Sequence, residues 1–179
     1  MILFPILQFG ASRFLQALWA IEDQPGLELP CRHASIIVTG DLKPYERLKL
    51  LILNLGHTYL AEIWIRRGGA PTLTVREAMA DKATRAELDQ LLDDEVLPVF
   101  DGIGMKDQAE AYWATVVERF SNPFLDHRLA EIFINHEAKK QRRVGGVIEL
   151  AEANNVRLKQ PRLRAGLGSE RKDRLNHTG

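Results

Sequence analysis

Apolar positions along the chain begin with an unbroken run, MILFPILQF, that stops at Gly10; helical spacing follows at Phe14, Leu15, Leu18 and Ile21. The pattern predicts a strand, a tight turn and a helix reaching Glu22. Residues 23–30 carry two prolines and a glycine and predict a loop, after which ASIIVTG is a short β-branched segment ending at Gly40. Neither strand has an evident partner. The rest of the chain has helical periodicity broken by proline and glycine, so the expectation is a mainly α fold with a small β-containing N-terminal piece.

A long helix is predicted from Pro44 to Arg67, with proline at its first position, Gly68-Gly69 as its stop, and Arg66 and Arg67 complementing the last carbonyls. Thr74 and Glu77 have capping-box spacing ahead of a second helix ending near Asp81. Thr84 and Glu87 repeat it ahead of a third, which Pro98 closes. The loop FDGIG leads to a fourth, KDQAEAYWATVVERF, ended by Ser121-Asn122-Pro123. A fifth, PFLDHRLAEIFINHEAKKQRR, is expected to stop at Gly145-Gly146, and a short sixth, VIELAEANN, precedes the tail.

In PYERLKLLILNLGHTYLAEIWIRR the apolar residues go all the way round the helix, the mark of a helix buried in the body of a protein. Lys49, Asn54 and His57 interrupt it, and each costs free energy if buried without partners. At about 100° per residue, Asn54 lies roughly 140° and His57 roughly 80° from Lys49, so the three project into one half of the cylinder. One reading is a metal-free acid-base site facing one cavity. A poorly solvated lysine has its pKa drawn down and exchanges a proton with an alcohol, an amide donates to an oxygen gaining charge, and a histidine holds a hydroxyl. The other is a buried helix whose lysine snorkels to the rim while Asn54 and His57 cap backbone groups.

Composition narrows the class without choosing between these. With 179 residues, 45% hydrophobic and 27% charged, and 24 basic against 24 acidic side chains, the chain is an ordinary globular one with no charge bias toward nucleic acid or membrane. No apolar stretch is long enough for a bilayer span, the start lacks a basic signal region, and the single cysteine, Cys31, allows no internal disulfide; the expectation is cytoplasmic. The tail from Arg157 holds seven basic and two acidic residues and reads as a flexible, solvated terminus. Asp93-Asp94-Glu95 reads as a solvated face, Trp19, Trp64 and Trp113 as core or interface aromatics, the Cys31/His33 pair as structural or surface residues rather than a metal pair, and His177 as free.

The spacing lysine, four residues, asparagine, two residues, histidine within ERLKLLILNLGHTYLA resembles the signature of the polyol-specific long-chain dehydrogenases, the family of mannitol dehydrogenase and the fructuronate and tagaturonate reductases. VREAMAD, DEVLPVF, ERFSNPFLDHRLAEI and NHEAKKQRR resemble, in order, the family's helical C-terminal domain, from about Leu18 to Lys159. The resemblance implies a zinc-independent, NAD-dependent interconversion of a secondary alcohol and a ketone on an open-chain sugar alcohol or sugar acid. By position, Lys49 is the general acid/base, Asn54 polarises the reacting oxygen, His57 bonds a substrate hydroxyl and Lys139 contacts the far end of the substrate. Asn135-His136-Glu137 stand where many members have Asp-Gly-Ser, and Glu131 replaces a substrate arginine. His127, Arg128, His136, Arg142 and Arg143 are candidates for binding a carboxylate, or else a solvated helix face.

ILQFGASRFLQA resembles the opening strand and phosphate-binding turn of the family's Rossmann domain, with Gly10, Ser12 and Phe14 toward the cofactor and Ser12 in place of the second glycine. The sequence then passes from Ala17 into what resembles the C-terminal domain. The expected organisation is a Rossmann remnant over 1–17, a helical substrate domain over 18–160 and a basic flexible tail over 161–179. A chain so organised is expected to bind NAD poorly, turn over little by itself, and self-associate or pair with a full-length homologue through exposed apolar surface. The competing expectation is a non-catalytic helical remnant or interaction module.

Overall fold

The computed structural model describes residues 19–29 and 36–168. Two short strands open it, β1 (Trp19–Glu22) and β2 (Ile36–Thr39), paired in parallel with Trp19 opposite Ile36 and Glu22 opposite Thr39. The segment ending at Glu22, expected as the end of a helix, is therefore a strand. Its partner is the β-branched stretch read as strand from the sequence, and the pairing needs the loop between them, which local periodicity cannot register.

The long helix expected from Pro44 to Arg67 exists as one run in three parts: α1 (Lys43–Leu48), a π-helical segment (Lys49–Asn54) and α2 (Leu55–Arg66). Ile52, Leu55 and Leu60 on it are fully buried, as a helix apolar on all sides requires. It stops at Gly68, whose φ of 63° suits a residue without Cβ. The Gly69 amide donates to the Trp64 carbonyl at 3.0 Å and the Gly68 amide to Ile65 at 3.1 Å, the paired bonds of a Schellman cap. Arg66 lies in the last turn, where its charge complements the terminal carbonyls as expected, and both Arg66 and Arg67 also reach across to Glu87.

α3 (Val75–Ala80) starts with the capping box expected at Thr74 and Glu77. α4 (Lys82–Leu91) is capped by Asp81, whose carboxylate accepts from the Thr84 amide at 2.8 Å, so Thr84 lies inside the helix rather than at its start. An aspartate in extended conformation between two helices caps as well as a threonine, and only the backbone decides between them. Pro98 does not end the run. A π-helical segment (Leu92–Val96) leads straight into α5 (Leu97–Gly102), and the donor that Pro98 lacks falls where the regular ladder is already broken.

After Gly104, at φ 74°, comes α6 (Lys106–Phe120). The predicted fifth helix is split: α7 (Leu129–Phe133) ends before Asn135, left-handed at φ 57°, and α8 (His136–Lys140) restarts the chain in a new direction. Gly145-Gly146 do not stop it, because a third π-helical segment (Gln141–Gly145) runs directly into α9 (Gly146–Ala153). Gly146 instead permits close packing: a Cβ there would lie 3.0 Å from the Leu51 side chain. The first half of the expected flexible tail is packed as α10 (Pro161–Gly168), with Leu163 buried.

One core spans these elements, with Phe100, Leu88, Leu91, Leu92 and Leu129 fully buried beside the central run and Trp113 among them. Glu95 is 1% exposed, not on a solvated face. Its carboxylate accepts from the amides of Arg162 and Leu163, both at 3.0 Å, and caps α10 from across the fold. Asp93 and Asp94 beside it are exposed, as expected. Among the described residues no helix is long and apolar enough to cross a membrane.

Candidate active site

Two of the three π-helical segments meet at one place. The Lys49–Asn54 segment packs against the Gln141–Gly145 segment, and Arg143 joins them: its Nη1 donates to the Asn54 carbonyl at 3.1 Å and to the Thr58 hydroxyl at 2.7 Å. Thr58 in turn donates to the same carbonyl at 3.0 Å. In a π-helical turn the backbone bonds link residues five apart, so Lys49 and Asn54 come nearer to one face than the α-helical angle of roughly 140° implies. Both line a cavity of about 580 Å³.

That cavity is rich in cations. Lys49, Lys139, Arg142 and Arg143 line it with Tyr45, Tyr112, Asn54 and Asn135, against one carboxylate among the described residues, that of Glu46. Burial holds the Lys49 ammonium below its ordinary pKa, and the Arg119 guanidinium pushes it the same way. Lys139 is lowered too, by burial and then by Arg143. Its Nζ donates to the Ile132 carbonyl at 2.7 Å, in the last turn of α7 that the left-handed Asn135 cuts off.

His57 opens instead onto a smaller cavity of about 220 Å³, with His127, Glu131 and Ile132. Asn54, Lys139 and Arg143 border both cavities. The His57 ring lies 4.4 Å from Phe120 and 5.6 Å, edge-on, from His127. His127 is held there by its backbone: its carbonyl accepts from the Val75 amide at 2.8 Å, strapping the segment before α7 to the start of α3. Burial, then the cationic tendency of His127, Arg119, Arg143 and Lys139, pushes His57 down to about 3, so the imidazole is neutral.

Lys49, Asn54, His57 and Lys139 are thus brought together around one pair of cavities, with Asn54 central, and Arg142, Arg143, His127 and Glu131 join them. Arg128 and His136 stand apart from both. Arg128 is exposed at the start of α7. His136 is buried and turned toward α2, where its Nε2 pairs with Glu62 at 2.6 Å and its ring stacks on Phe133 at 4.4 Å. The helix restart at Asn135 decides this, and no spacing rule places such a restart. Gly10, Ser12 and Phe14, and also Cys31, His33 and His177, lie outside the described residues.

Tyr112 and Arg119 were not singled out from the sequence. Spaced seven apart on α6 they share a face of it, and a polar pair at that spacing on an amphipathic helix is the signal that would have found them. Burial raises the Tyr112 phenol to about 12, so it stays a hydrogen-bond donor. Among the described residues no three His, Cys, Asp or Glu side chains converge as a metal site.

Residues 41–166 match the family model of the mannitol dehydrogenase C-terminal domain. Altronate oxidoreductase of Bacillus subtilis (strain 168) is 35% identical over 140 residues, which cover 75% of this chain and 28% of that protein. Altronate oxidoreductase of Enterobacter sp. (strain 638) is 34% identical over 110 residues, covering 62% and 22%. The crystal structure of D-sorbitol dehydrogenase in substrate-free form shares the fold, with a TM-score of 0.60 and 23% identity over 77% of this chain and 28% of that one. The chain therefore spans 22% to 28% of the length of these relatives. A match over most of the chain, together with the helical architecture, makes it a member of the mannitol dehydrogenase family, carrying that family's C-terminal domain.

Proposed function

We propose that this domain is the substrate half of an oxidoreductase that interconverts a secondary alcohol and a ketone on an open-chain sugar alcohol or sugar acid. The observation that carries the reading is the shared placement of Lys49 and Asn54, from one π-helical segment, on the wall of a half-enclosed cavity large enough for a six-carbon chain. Lys49, with its pKa lowered by burial and by Arg119, takes the proton of the substrate hydroxyl in the oxidative direction and returns it to the alkoxide in the other. The Asn54 carboxamide donates to the oxygen that gains charge, and its backbone is pinned for that task by Arg143 and Thr58. The neutral His57 ring, accepting at one nitrogen and donating at the other, orients a neighbouring hydroxyl.

The electron partner implied by the family is NAD, which supplies hydride chemistry when bound. A dinucleotide sits across the carboxyl ends of a parallel sheet at a topological switch point. The described residues make one pair of four-residue strands, which does not fit such a ligand, and no hydride step is assigned to them. We take the cofactor to be held by a dinucleotide-binding fold outside the described residues. The test is NADH oxidation with tagaturonate, fructuronate or fructose by the chain combined with a dinucleotide-binding domain of the family. Turnover that Lys49→Ala abolishes is the expected result. Absence of turnover with every combination, or full activity in Lys49→Ala, favours a non-catalytic helical module instead.

A further inference from the structure

The cavity wall holds more positive charge than the fold neutralises. Among the described residues, Lys139, Arg142 and Arg143 each have no carboxylate within 4.0 Å, while other cations of the molecule, Arg66, Arg67, Arg85 and Arg162, do have such partners. Arg143 is the most constrained of the three. It is half-buried, borders both cavities, and both hydrogens of its Nη1 are engaged by the Asn54 carbonyl and the Thr58 hydroxyl. A guanidinium carries five N–H donors and does not lose its charge, so three remain on Nε and Nη2. Those three have no acceptor among the described residues. Neither nitrogen is a buried atom without a partner, so solvent reaches both, and a planar fork left open in this way is complementary to a planar carboxylate.

We propose that Arg143, with Lys139 beside it, binds the carboxylate of an open-chain sugar acid and makes this site selective for sugar acids over neutral polyols. The proposal rests on the substrate-half reading above and adds the ligand class and the residue that reads it. Because the arginine is fastened through Nη1 to the backbone carbonyl of Asn54, the carboxylate end and the oxygen-polarising amide are held in one register. A substrate gripped at its acid end is thereby presented to Lys49 and Asn54 at a fixed distance along its carbon chain. Glu131, on the wall of the smaller cavity, leaves the acid end only the side where the cations cluster, since like charges repel.

The experiment is calorimetric titration of the 179-residue protein with altronate, with the hexitol of the same configuration in which a hydroxymethyl group replaces the carboxylate, and with inorganic phosphate. Altronate should bind about tenfold or more tighter than the hexitol, with an affinity that falls as salt is raised while that of the hexitol does not. Arg143→Gln should remove most of that advantage, with altronate losing far more affinity than the hexitol; Arg143→Lys, which keeps the charge and loses the fork, should fall between. Thr58→Val, which loosens the guanidinium without altering charge, serves if the Arg143 variants do not fold, and should narrow the affinity ratio of altronate to hexitol. Equal affinity for acid and hexitol in the wild-type protein overturns the proposal while leaving the substrate-half reading intact. Phosphate binding as tightly as altronate overturns it as well, revealing an unspecific anion site. Failure of altronate and hexitol alike to bind overturns both readings.

Discussion

A single imidazole illustrates how far surroundings can displace a side chain from its solution behaviour. His57 is drawn down to about 3 by burial and by the cations around it, against its usual 6.5. In the unfolded chain the ring takes up a proton as pH drops through 6.5, and in the folded protein it does not. The stabilisation from keeping it neutral is therefore complete above pH 6.5 and is lost progressively as pH falls toward 3. Urea melts across that window should give His57→Gln a shallower acid limb than the wild-type protein; superimposable limbs would show that the ring is solvated after all. At this scale the sequence singles out Lys49, Asn54 and His57, conspicuous in an apolar helix, and the structure gathers them round one pair of cavities. The sequence was silent on direction. His136 and Lys139 are three positions apart, yet one turns to Glu62 and the other to the cavity, and a left-handed Asn135 in front of them sets both.

α10 is anchored by residues far from it in sequence. Its first amides are capped by the Glu95 carboxylate, its Gln160 donates to the Glu95 carbonyl at 3.0 Å, and Arg162 reaches Asp94 at 2.9 Å. Glu95→Ala leaves one buried and one half-buried amide without acceptors, which costs about 3 kcal/mol. Hydrogen exchange over residues 161–168 should accelerate in that variant ahead of the rest of the fold; unchanged protection there would show that Leu163 alone holds the helix. A composition rule reads this stretch as a charged tail, since the partner that orders it is some sixty residues away in sequence. The same limit explains Gly145-Gly146 and Pro98, stop signals by local propensity that tertiary packing overrides through π-helical turns. Where the signal is complete within a few residues, as in the capping box at Thr74 and Glu77 or the glycine stop at Gly68, sequence and structure agree.

At the level of the molecule, the described residues combine a cation-lined cavity wall with one strand pair. Titration of the chain with NADH should give no heat at micromolar concentrations, and a clear isotherm would mean that a dinucleotide site exists which the residues 19–29 and 36–168 do not reveal. The mainly helical class, the family and the order of its landmarks were legible in the sequence because a long apolar helix with three polar interruptions is unusual and local. The strand pair was not, since parallel strands meet only through a connection that periodicity ignores.

The widened turn between Lys49 and Asn54 contains one residue more than regular helix would use. Remove Leu50, the one of the four intervening residues that is not buried, and the run closes into an ordinary α-helix in which Lys49 and Asn54 stand four positions apart, about 40° from one another and still on one face. A one-codon in-frame deletion is thus the change this run should absorb best: the ammonium keeps its alignment with the carboxamide, and only the wide backbone turn is lost.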